Sequence, residues 1–144
     1  MRLTESRLRN IIREEIKLTV PPTALELEIG GKSVNVEIAA CPQSRNHGLM
    51  YKMGLALDCG MLFIYPDSAP RSFWMENTYI PLSIAFIDEA GVILNVEDMM
   101  PFDRDNVWSD GDAVYALEMV QGWFDENQVG PGRKVTGLPG YSVM

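Results

Sequence analysis

Leu25-Glu26-Leu27-Glu28-Ile29-Gly30-Gly31-Lys32-Ser33-Val34-Asn35-Val36-Glu37-Ile38 is the stretch that decides the fold class. Leu25, Leu27 and Ile29 alternate with Glu26 and Glu28; Val34, Val36 and Ile38 alternate with Asn35 and Glu37. A period of two sends one set of side chains to an apolar face and the other to a polar one, which is how a half-buried strand reads. Gly30 and Gly31 both tolerate positive φ, as a two-residue hairpin turn demands. The stretch predicts an antiparallel hairpin.

Shorter strands are expected downstream. Gly60 to Tyr65 is apolar and broken by Pro66-Asp67-Ser68-Ala69-Pro70, and Arg71 to Met75 follows as a second short strand. Leu82 to Ile87 and Val92 to Val96 flank the turn residues Asp88-Glu89-Ala90-Gly91. Val114 to Val120 and Lys134 to Thr136 complete the set. Residues 43–57 read as a short helical or irregular connector, residues 98–112 as a long loop, and Trp123 to Gln128 as one helical turn. Many short strands with few helices predict a β-rich α+β domain, a small and mostly antiparallel barrel or sandwich. The long separations between strands argue against a simple meander.

Upstream of the hairpin the period is 3.6. Thr4 can serve as N-cap, with Leu3 and Leu8 placed for a hydrophobic staple. Leu8, Ile11, Ile12 and Ile16 form a narrow apolar stripe, and Glu5 and Arg9 are spaced for an i,i+4 pair. Thr19-Val20-Pro21-Pro22 ends the helix, because each proline restricts the residue before it. The expected organisation is an amphipathic leader helix over residues 1–18, a proline linker over 19–24 and one globular domain over 25–144.

Composition bounds the function classes. A chain of 144 residues, 47% hydrophobic, is the size of one domain with its own core. Its net charge of −8 is unevenly spread: residues 1–17 carry five basic and three acidic residues, and the remainder seven basic and seventeen acidic. A body without clustered Lys and Arg is a poor partner for phosphate, so no nucleic-acid binding is expected of it. The longest apolar candidate, Ile80 to Ile87, is interrupted by Pro81 and Ser83 and is far short of the roughly 20 residues of a membrane span. Glu14 and Glu15 offset the basic residues of the leader, so no membrane contact is expected there either. No apolar h-region follows the basic N-terminus, which gives a cytoplasmic location by default.

Cys41 and Cys59 could form one bridge in an oxidising compartment, but they are in no C-x-x-C pair and nothing signals export, so two buried free thiols are expected. The single histidine, His47, leaves no His-rich metal cluster and has no partner suggested by spacing. Within the acidic loop 103–112, Val107 and Trp108 stand where an EF-hand needs an oxygen ligand and glycine. A solvated loop with Asp-Gly turn chemistry is the default there and a looser hard-cation site the alternative. Neither metal nor cofactor is expected, and no catalytic motif for hydrolysis, phosphate or dinucleotide chemistry is present.

Most of the remaining information lies in Gly60-Met61-Leu62-Phe63-Ile64-Tyr65 and Phe73-Trp74-Met75-Glu76-Asn77-Thr78-Tyr79-Ile80-Pro81-Leu82. Trp74 offers a flat face on which a ring can stack, and Asn77 and Thr78 at a strand end can bond a ligand or tie off a turn. Glu118 falls within an apolar strand, where an unpaired buried acid would cost several kcal/mol. Alternation puts Leu117 and Met119 on one face and Glu118 with Ala116 on the other, so Glu118 faces solvent or lines a cleft.

These motifs, with His47-Gly48-Leu49-Met50, Phe86-Ile87-Asp88 and Ala116-Leu117-Glu118-Met119, resemble in order and spacing the domain-of-unknown-function family 192, over roughly residues 25–137. The resemblance implies a compact β-rich domain with short helices, and its matching polar positions are Asn77, Thr78, Asp88 and Glu118, with Trp74 as the aromatic. Members carry an aspartate directly after Pro-Leu where this chain has Ser83. The segment Leu3 to Glu15 is similar to a short leader heading otherwise unrelated products of marine bacteriophages, which implies a viral origin and a docking tag.

The function expected from the sequence is a non-catalytic binding module for a small polar or carbohydrate-like ligand, with Trp74, Asn77, Thr78, Asp88 and Glu118 around the site. The rival is an assembly domain that meets a protein partner through residues 1–17. Third comes a hydrolase, for which Glu118 and Asp88 are the first acids to consider.

Overall fold

The computed structural model describes residues 24–140, and the leader helix and its phage-like character lie outside them. The opening hairpin forms as expected: β1 (Ala24–Ile29) and β2 (Lys32–Ala39) pair antiparallel from Ile29↔Lys32 to Ala24↔Glu37. Gly30 and Gly31 close it with φ of 59° and 80°. A short helix α1 (Pro42–His47) follows, then β3 (Cys59–Ala69), β4 (Ser72–Phe73), β5 (Leu82–Ile87) and β6 (Ile93–Met99). The chain continues through β7 (Val107–Trp108), β8 (Ala113–Val120), the one-turn helix α2 (Trp123–Glu126) and β9 (Val135–Thr136).

Seven strands make one sheet in the order β6-β5-β8-β3-β2-β1-β9, and β4 with β7 make a separate two-stranded ribbon. All pairings are antiparallel except β2 with β3, whose connection carries α1. The sheet curls until its two edges meet. Val92 bridges Lys134, Ile93 N–H donates to the Arg133 carbonyl and Val135 N–H to the Gly91 carbonyl, so the stretch before β9 closes on the start of β6. The β-rich fold class is therefore the one its strand pattern predicted.

Details of the strands differ from expectation. β3 does not stop at Pro66 but runs to Ala69, with a register irregularity between Ile64 and Ala69. Proline fits there because the ladder to β8 is already interrupted. The expected strand from Arg71 to Met75 is reduced to Ser72–Phe73, which pairs with β7 inside the long loop rather than with the main sheet.

Alternation sorts the core into two apolar clusters. Inside the curl lie Leu27, Ile29, Val34, Leu62, Ile64, Leu117 and Met119, plugged by Trp123 and Phe124 of α2. The outer face of β3, β8 and β5 carries Met61, Phe63, Ala116, Ile84 and Phe86, covered by Leu49, Met75 and Ile80 from the connecting segments. The cysteines are free but half-buried rather than buried. Cys59 pairs with Asn35 on β2 while Cys41 follows the far end of that strand, roughly 15 Å or more away and beyond disulfide reach.

The tightest approach is between β3 and β8. Gly60 lies opposite Met119, and a Cβ there would sit 2.2 Å from the Glu118 carbonyl oxygen and 2.4 Å from the Met119 sulfur. Backbone cannot yield as a flexible side chain can, so Gly60→Ala should cost about 3 kcal/mol. Gly54→Ala, where nothing lies within 4 Å, should leave stability unchanged. Urea denaturation of the two variants checks this; equal midpoints would refute the β3–β8 register.

Candidate functional site

Glu118 sits at the middle of β8, between Met61 of β3 and Ile84 of β5 in register. It shares the outer face with Phe63, Ile84, Phe86 and Ala116, and is only 4% exposed. Among the described residues no hydrogen bond or ion pair reaches its carboxyl group. Nor is any side-chain N or O atom both sealed from solvent and unpartnered. The carboxyl oxygens therefore open onto the space beside them, a cavity of about 160 Å³. Desolvation pushes the Glu118 pKa up to about 8, so the group is largely protonated at neutral pH.

Three segments build the walls. β3 contributes Phe63 and Tyr65, whose side chains follow Met61 along the same face. The connector after β3 supplies Ser72, Phe73, Trp74 and Thr78, and α1 with its C-terminus supplies Arg45, His47, Gly48 and Leu49. Phe73 packs edge-on against Phe63 with ring centroids 4.7 Å apart. Trp74 is 43% exposed and stands at the rim, with the Arg104 guanidinium 5.8 Å from its ring; Arg104 is held there by an ion pair to Glu76.

α1 is fixed to the wall by a single cation. Arg45 Nη1 donates to the Ile64 carbonyl at 2.8 Å, and its guanidinium lies 4.9 Å from the centre of the Tyr65 ring. Arg71 approaches the same ring to 3.9 Å, while its Nε donates to the Ala113 carbonyl and its Nη2 pairs with Asp67. Burial raises the Tyr65 phenol, and the Arg71 and Arg45 charges partly oppose that rise. At the start of α1, hydrogen bonding from Ser44 lowers the Cys41 thiol, whose Sγ lies 3.2 Å from Ser44 Oγ.

Of the five residues picked out from the sequence, Trp74, Thr78 and Glu118 line this cavity and Asn77 and Asp88 do not. Asn77 is exposed with φ of 54° in the turn closed by Thr78 N–H to the Met75 carbonyl, a conformation asparagine tolerates. The Thr78 hydroxyl donates to the Glu76 carbonyl, so at the cavity it has lone pairs to offer. Asp88 caps the β5–β6 turn, its Oδ1 accepting from Ala90 and Val92 N–H at 2.9 Å each. It lies four residues beyond Ile84, the residue opposite Glu118, or about 13 Å along the strand. Glu118 and Asp88 thus make no acid pair around one bond. Sequence reasoning missed Arg45, Tyr65 and Ser72. His47 was noticed without a partner; it lines the cavity and meets the Tyr51 ring at 6.1 Å between centroids. Among the described residues, no group of three or more His, Cys, Asp or Glu could hold a metal ion.

Comparison with known proteins agrees with this architecture. A crystal structure from Sinorhizobium meliloti, named as a candidate transcription regulator, superposes with a TM-score of 0.77 at 32% identity, covering 82% of this chain and 96% of that one. A protein of unknown function from Novosphingobium aromaticivorans superposes with a TM-score of 0.71 at 27% identity, covering 81% and 90%. No curated protein matches the chain. The family model DUF192, described as an uncharacterized ACR, matches residues 25–137. That match spans most of the chain and nearly every described residue, and the chain accordingly belongs to the DUF192 family.

Proposed function

We propose that this domain is a non-catalytic binding module that takes a small polar or carbohydrate-like ligand into the cavity between Trp74 and Glu118. One observation carries the proposal: a buried carboxyl group with no protein partner, opening onto a cavity with aromatic walls. An acid so placed costs stability, because burial strips its water without supplying a hydrogen bond. A ligand that bonds the carboxyl recovers that loss on binding. Trp74 at the rim supplies a ring face for stacking, and Thr78 and Ser72 supply polar edges.

A DNA-directed role, as the name of the S. meliloti relative suggests for that protein, draws no support from the charge of this chain. Its described residues hold seventeen acidic side chains against seven basic ones. Backbone phosphates need the opposite balance.

Two measurements test the proposal. Screening sugars and small polar molecules by ligand-observed NMR should yield binders whose affinity falls about tenfold in Trp74→Ala, the worth of one stacked ring; identical binding by both proteins would reject the site. The second follows from Glu118. Its folded pKa, about 8, lies above the ordinary value of 4.5, so the folded state holds a proton that the unfolded state has released between those values. Stability should therefore fall as pH rises from about 5 to about 8 and level off above, by on the order of a few kcal/mol relative to Glu118→Gln. Parallel pH profiles for wild type and Glu118→Gln would show that the carboxyl is not buried as described.

A further inference from the structure

The chemistry around Glu118 narrows the kind of molecule the cavity fits, given the reading of that cavity as a ligand site. Two guanidinium groups are close by, and neither reaches the acid. Arg45 is committed to the Ile64 carbonyl and to one ring, and Arg71 to the Ala113 carbonyl, Asp67 and the same ring. Both cations are thus engaged by Tyr65, by Asp67 and by backbone carbonyls, and no ion pair joins either of them to Glu118.

The cavity beside the carboxyl is lined by aromatic side chains together with the polar Ser72, Thr78, His47 and Arg45. Phe63 and Phe73 stand beside it and Trp74 at the mouth. Ring faces attract cations and repel anions. An ionised carboxyl is an acceptor only, and so matches a ligand bearing donors and positive charge. The body as a whole is strongly acidic, and its field draws cations toward it and turns anions away.

We infer that the cavity receives a small organic cation, a molecule bearing a primary ammonium group, with the Glu118 carboxylate as its counter-charge and the rings of Phe63, Phe73 and Trp74 about its carbon skeleton. On binding, the O–H bond of the Glu118 carboxyl breaks and its proton passes to solvent. The ammonium keeps its own protons and donates them to the carboxylate oxygens. The charged or titratable groups facing this site are Tyr65 from β3, with Arg71 against its ring, and Arg45 and His47 from α1. β5 presents the uncharged Ile84; the segment from Ser72 to Thr78 lines the cavity with uncharged side chains, and its Glu76 pairs at the rim with Arg104, whose guanidinium lies against the Trp74 ring.

The test compares propylammonium, propanol and propionate, three probes of similar size, by NMR titration of the full chain at pH values from about 6 to 8. Propylammonium should bind preferentially, its affinity rising up to about tenfold per pH unit below the Glu118 pKa, as expected when one proton is released. Calorimetry in two buffers of different ionisation enthalpy should count that proton directly. Glu118→Gln, near-identical in shape, should abolish the preference for the cation while its amide spectrum stays that of the folded domain. Preference for propanol or propionate in the wild type overturns the cation assignment but leaves the cavity a ligand site. Failure of all three probes overturns the assignment as well. The broader screen with Trp74→Ala then decides separately whether the cavity binds anything.

Discussion

A carboxyl group set into the hydrocarbon face of a central strand must give up either its charge or its burial. Glu118 gives up its charge. β8 is flanked by β3 and β5, and both of its faces are covered, so the side chain has no route to bulk water along the sheet. Desolvation holds the proton on it, and an opening to the neighbouring cavity spares its oxygens complete isolation. The placement of α1 and of the segment after β4 can be understood around that opening.

The walls stay apart because each is tied elsewhere. Parallel pairing of β2 with β3 forces a crossover between them, and that crossover carries α1 across the outer face. Arg45 then anchors α1 to the end of β3 rather than to the acid. The segment from Met75 to Thr78 is held from behind, since Met75 N–H donates to the Asp103 carbonyl and Asn77 accepts from Tyr51 N–H. Tyr51, Asn77 and Phe102 all have positive φ, a conformation uncommon outside glycine, and all lie in these tied loops. On the opposite face of the sheet, only glycine at position 60 lets β3 approach β8 closely enough.

Local pattern made much of this legible in advance. The hairpin through Gly30-Gly31 was readable because it needs only alternation and a turn, and β5, β6 and β8 because short apolar runs bounded by turn residues read as strands. The facing of Glu118 with Ala116 and away from Leu117 was readable for the same reason, and it led to the cavity. Asn77 and Asp88 lie outside the cavity, in turns; turn chemistry and ligand chemistry use the same residue types. Arg45, Tyr65 and Ser72 carried no signal, since they meet only through the crossover and the curled sheet, which no local period encodes. The extension of β3 past Pro66 was hidden likewise, because whether a proline ends a strand depends on where the ladder is already broken.

Ser83 provides the control for Glu118 within the same sheet. It is 2% exposed on β5, one residue from the position opposite Glu118. Its hydroxyl donates to Asp98 Oδ1 at 2.7 Å and accepts from Gly122 N–H at 3.1 Å, so a buried polar side chain with a structural task is closed on both sides. The carboxyl at position 118 has no such closure among the described residues, and the Arg45 and Arg71 charges act on Tyr65. They stack on that ring, and the acid is left without a hydrogen-bond partner among the described residues. A polar group held in the core without a partner carries a desolvation cost that Ser83, closed on both sides, does not.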